Sequence, residues 1–148
     1  MKSLFPRAIL MTALALAPVA GRAAQDADTD AEVAAHEAVL DLAGAFTNDG
    51  FKLRDGDYAG TLQAGQAVVV QVNLYAGNEY WFSVATADPK TTVSINLYDE
   101  SGKLLKTNPY ADAHRAAAGY SPDTSGPYYV RVADPGAAAT YCLIYSYK

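Results

Sequence analysis

Cysteine is almost absent from this sequence of 148 residues, where Cys142 stands alone. A single cysteine excludes a disulfide framework within the chain, so the fold has to be held by its core. Histidine is nearly as scarce, with only His36 and His114, and two histidines plus one cysteine match no zinc-ligand spacing. No metal site is expected. Gly-x-Ser-x-Gly, His-Glu-x-x-His, a phosphate loop and a dinucleotide fingerprint are all missing, and no catalytic constellation is recognisable. Basic residues are few: 11 Lys and Arg face 16 Asp and Glu.

The chain opens with Lys2 and Arg7, runs apolar from Ala8 to Ala20 and reaches small residues at Gly21, Ala23 and Ala24. A positive start, an apolar run too short to span a bilayer and a small-residue cleavage site together read as a secretory signal peptide over 1–23. Cleavage after Ala23 removes Lys2, Arg7 and Arg22, which leaves eight basic residues against 16 acidic ones and a net charge of −8. Such a surface repels phosphate and disfavours nucleic acid and anionic lipid. The mature chain is expected to be exported, periplasmic or extracellular, with no membrane span.

Residues 24–46 read as an acidic lead-in and an amphipathic helix. Thr29 and Glu32 have the spacing of a capping box, and the helix is expected over about Asp30–Ala43 with Gly44 as its stop. Val33, Leu40 and Ala43 form its apolar stripe, flanked by Val39, Leu42 and Phe46. Asp26, Asp28, Asp30, Glu32 and Glu37 mimic the spacing of a calcium loop, but Ala31 stands where such loops require glycine. Calcium is not expected, and no other cofactor is.

Residues 47–148 read as one β-domain. Phe51–Arg54 is a short edge strand between two turn signals, and Asp55 and Asp57 read as turn acids bonding their own backbone rather than as cation ligands. Strands follow over Tyr58–Leu62, Gln66–Leu74, Glu79–Thr86 and Thr92–Tyr98, several with apolar residues at alternate positions. Asp99 to Gly102 turns the chain into a returning strand over Lys103–Thr107. Asn108–His114 carries no pattern. Arg115–Tyr120, the strand holding Tyr128, Val130 and Val132, and Thr140–Tyr147 complete an all-β fold, with a turn at Asp134-Pro135-Gly136 between the last two. It is expected to be an antiparallel, jelly-roll-like sandwich of about eight strands with one N-terminal α-helix. Cys142 lies in the apolar run of the last strand and reads as a buried, inert thiol.

Leu62 to Gly65, Val68-Val69-Val70, Ala76 to Val84, Val93 to Gly102 and Ser125 to Val132 carry a strand-and-turn grammar that resembles the bacterial pre-peptidase C-terminal domain, a β-sandwich similar to collagenase collagen-binding domains. The resemblance implies a role in secretion, substrate contact, or carbohydrate or matrix binding. No peptidase motif is expected beside it within these 148 residues.

Trp81, Val69, Cys142 and Ile144 share an outer face that the helix is expected to cover. In the rival arrangement Trp81 joins Tyr98, Tyr110 or Tyr129 in an exposed aromatic platform. The candidate ligand contacts are Trp81, Tyr98, Tyr110, Tyr129 and Arg131, since rings supply contact area and Arg131 can grip a carboxylate. The function expected is a non-catalytic, exported binding module for a protein or polysaccharide at the bacterial cell envelope. A small assembly subunit, dimerising through its helix or an edge strand, and an accessory domain of a secreted hydrolase system are the alternatives.

Overall fold

The computed structural model describes residues 20–133 and 136–148, with side chains from Thr29 onward. The signal-peptide segment before Ala20 and the expected turn at Asp134 and Pro135 lie outside the described residues. Among the described residues no helix is long and apolar enough to cross a membrane.

Among the described residues one helix, α1 (Ala20–Thr47), precedes nine strands. It runs through Thr29, so the expected capping box does not start it, and the acidic window that mimics a calcium loop is helical throughout. It also passes Gly44. The stop is Gly50, which takes a positive φ of 90° while its N–H donates to Thr47 O and the Phe51 N–H reaches back to Phe46 O. This pair of bonds satisfies the last helical carbonyls, and glycine adopts that backbone without a steric penalty.

The strands are β1 (Lys52–Leu53), β2 (Tyr58–Leu62), β3 (Ala67–Leu74), β4 (Tyr80–Thr86), β5 (Ser94–Tyr98), β6 (Asn108–Asp112), β7 (Arg115–Tyr120), β8 (Gly126–Ala133) and β9 (Ala139–Tyr147). They form two antiparallel sheets. The larger has the order β1-β9-β4-β7-β6 with β2 also paired to β9, and the smaller has the order β3-β8-β5. Alternate residues from both inner faces fill the core: Phe82 and Val84 from β4 and Leu143 from β9 meet Leu74, Leu97, Val130 and Val132 of the smaller sheet. This sheet-on-sheet burial is what a chain without disulfides relies on.

Two expectations are corrected. The returning strand Lys103–Thr107 is reduced to one bridge, Tyr98 to Leu104, because the chain crosses at once to the larger sheet. The segment Asn108–Asp112 is a strand, although all five of its residues are exposed. It is an edge, pairing only with β7.

α1 lies across the outer face of β9 and β4. Ala35, Val39 and Ala43 pack with Ala85, Cys142 and Ile144, while Phe46 stacks on Trp81 at 4.2 Å between ring centroids. The buried stripe is therefore rotated from the expected one, since Val33 is 52% exposed and Leu40 39%. Val69 does not share this face; it lies on the smaller sheet and is exposed. Small residues along β7 let the helix settle, and Gly119 leaves the space taken by the Trp81 indole. Arg115 of β7 adds an ion pair to Asp41 of the helix at 3.2 Å.

Candidate ligand-binding surface

On β8, Val130 and Val132 are fully buried, so Tyr129 and Arg131 between them face outward. Register sets Tyr98 of β5 and Gln71 of β3 on either side of Tyr129, and Asn96 and Val69 on either side of Arg131. Two rows therefore cross the outer face of the smaller sheet, one reading amide, phenol, phenol and the other methyls, guanidinium, amide. Tyr98, Tyr129 and Arg131 are brought together in this way. Trp81 and Tyr110 are not: Trp81 is taken up by Phe46 beneath the helix, and Tyr110 stands on the edge strand of the other sheet. The aromatic platform that included Trp81 does not form.

Scattered through the sequence, six of the 11 tyrosines converge in space. The turn between β3 and β4 and the loop between β7 and β8 lie at one end of the sandwich, and register places Tyr80 opposite both Tyr120 and Tyr147. Here a cleft of about 380 Å³ is lined by Arg54, Asn73, Tyr75, Asn78, Tyr80, Tyr145 and Tyr147. Its wall is fixed from within. The Tyr80 hydroxyl accepts hydrogen bonds from the Tyr75 backbone N–H at 3.0 Å and the Asn78 amide at 3.2 Å. The Arg54 guanidinium lies 5.2 Å from the centre of the Tyr145 ring, and the Arg54 N–H donates to Tyr145 O at 3.0 Å. Burial pushes the Tyr145 phenol up in pKa, against the opposing pull of Arg54. Tyr75 is 63% exposed, which presents it to a ligand.

A second cleft at the same end, of about 550 Å³, is lined by Asp99, Glu100 and Asp123 with Ser125, Tyr120 and Tyr128. The Tyr120 and Tyr128 rings are 5.7 Å apart, and the Tyr128 hydroxyl donates to Thr124 O at 2.7 Å. Burial raises the Tyr120 pKa. Sequence reading missed this end, because only antiparallel pairing turns separate tyrosines into one surface. The repeated placing of tyrosine at strand ends was the available signal.

Cys142 is fully buried, as its apolar run implies, but it has polar company. Its thiol donates to Asp57 Oδ2 at 3.3 Å, so the bond seen for this carboxylate reaches β9 instead of its own turn backbone, where it was expected. Donor atoms of His36, Asp57 and Cys142 all lie within 4.8 Å of one another. Burial first, then the Asp57 bond, push the thiol up to about 12. That shift opposes thiolate formation, and with no exposed surface Cys142 has none of the character of a nucleophile.

No protein-family model and no curated protein matches the sequence. Among solved structures the chain is similar to the Yersinia pseudotuberculosis-derived mitogen, at 17% identity and a TM-score of 0.49 over 62% of this chain and 83% of that one. It is similar to the pre-peptidase C-terminal domain of collagenase from Bacillus anthracis, at 22% identity and a TM-score of 0.49 over 61% and 87% of the two chains. The Aeromonas hydrophila periplasmic inhibitor of g-type lysozyme is similar at 12% identity and a TM-score of 0.46, over 63% and 85%.

Proposed function

We propose that the chain is a non-catalytic binding module of the bacterial cell envelope that holds a polysaccharide segment at the tyrosine-lined end of its sandwich. The observation that carries this reading is the cleft of Tyr75, Tyr80, Tyr145 and Tyr147 with Arg54, Asn73 and Asn78 at its rim. Ring faces pack against the C–H faces of a sugar, while amides and a guanidinium bond its hydroxyls, and a concave site with a few convergent polar groups fixes orientation. Asn73 also belongs to the outer face of β3. A longer ligand can thus continue from the cleft toward Gln71 and Tyr129.

Calorimetric titration with soluble cell-wall polysaccharide, with envelope protein extract as a separate arm, tests the reading. Tyr75→Ala and Tyr147→Ala are each expected to weaken polysaccharide binding by about tenfold or more, as for aromatic anchors at other binding surfaces, while Tyr110→Ala leaves it unchanged. Equal binding by all three variants, or binding confined to the protein arm, overturns it.

A further inference from the structure

We propose that His36, Asp57 and Cys142 form a binding site for a divalent transition-metal ion of the zinc class, which clasps the N-terminal helix to the sandwich. The three residues come from three separate elements: His36 from α1, Asp57 from the loop before β2, and Cys142 from β9. A hydrogen bond between thiol and carboxylate accounts for Cys142 and Asp57, but not for the imidazole brought to the same point.

The geometry is close to what such an ion requires. At metal–ligand lengths of about 2.0–2.3 Å, tetrahedral ligands stand roughly 3.3–3.7 Å apart. The Sγ to Oδ2 separation is 3.3 Å, and no donor pair exceeds 4.8 Å. His36 is exposed, so its ring is the donor with room to turn toward the other two. Sulfur, nitrogen and oxygen donors together suit zinc or cobalt, whereas magnesium and calcium require all-oxygen shells.

Access and the fourth position follow from burial. Cys142 forms the closed floor, while His36 and Asp57 are exposed and leave a path from solvent. Glu32 lies one helical turn before His36, on the same side of α1, and is exposed. A carboxylate or a water therefore completes the shell. Binding breaks the thiol-to-Asp57 hydrogen bond, releases the thiol proton to solvent and forms one bond to the ion from each of sulfur, nitrogen and oxygen.

The test is a cobalt(II) titration of the purified chain, followed by competition with zinc. A thiolate-to-cobalt charge-transfer band and the visible bands of tetrahedral cobalt are expected to saturate at one equivalent and to vanish when zinc is added. Cys142→Ser removes the charge-transfer band. His36→Ala and Asp57→Asn alter exposed side chains and keep the fold, and each is expected to weaken cobalt binding at least tenfold, whereas His114→Ala leaves it unchanged. No charge-transfer band with the unaltered chain, or equal affinity in His36→Ala and Asp57→Asn, overturns the site.

Discussion

A carboxylate in a surface turn is ordinarily solvated, but Asp99 Oδ1 accepts three hydrogen bonds within its own turn. They come from the Ser101 hydroxyl at 2.6 Å, the Ser101 N–H at 2.9 Å and the Lys103 N–H at 3.0 Å. The Ser101 hydroxyl bond, followed by the Lys103 backbone bond, lowers the Asp99 pKa below its usual 3.8. A depressed folded-state value means that the contribution to stability is fully present above the unfolded value and is lost as pH falls through the folded one. Asp99→Asn is therefore expected to unfold more easily than the unaltered chain at neutral pH, with the gap closing below about pH 3.8. Urea melts across a pH series measure it, and a gap independent of pH would show that the carboxylate charge has no part in the turn. The turn itself was legible as Asp-Glu-Ser-Gly. The company of Cys142 was not, because His36 and Asp57 are remote in sequence and meet the thiol only after the helix has docked.

The docking of α1 depends on small residues, and that is why its phase was misread. Large side chains such as Val33 and Leu40 mark a stripe on paper, yet Ala35 and Ala43 beside Val39 let the helix approach β4 and β9 closely. Hydrophobicity tables weigh size, whereas close packing rewards its absence. The strands with an alternating pattern were readable. β6 was not, since a wholly exposed edge has no inner face to imprint a period of two. Helix and sheet are keyed together at Trp81, which stacks on Phe46 and lies close against Gly119. A Cβ at position 119 would stand 2.9 Å from the indole. Gly119→Ala is expected to cost about 1–3 kcal/mol, as overpacking does, and to disturb the stacking of Trp81. Denaturant unfolding followed by Trp81 fluorescence reads both effects, and an unchanged midpoint and spectrum would mean that the ring has room to move.

At the scale of the whole fold, two sheets leave two outer faces, and among the described residues the helix packs on that of the larger sheet. The fold class and most strand positions were legible because they follow from local alternation and turn chemistry. The tyrosine-lined end was not, because it is a product of register and of the order in which strands return. The same topology leaves β6 as an outer rim of the larger sheet, with every residue exposed. Pro109 sits within that rim, opposite Ala118 of β7. Proline has no N–H, so a foreign strand cannot hydrogen-bond along it without a gap. Pro109→Val restores a continuous ladder of donors beside a β-branched side chain, and light scattering across protein concentration is expected to show more association than the unaltered chain does. Identical scattering would mean that some other feature guards the rim. At this one edge of the larger sheet, the ladder that a neighbouring strand would extend is broken by a residue that has no hydrogen atom to give.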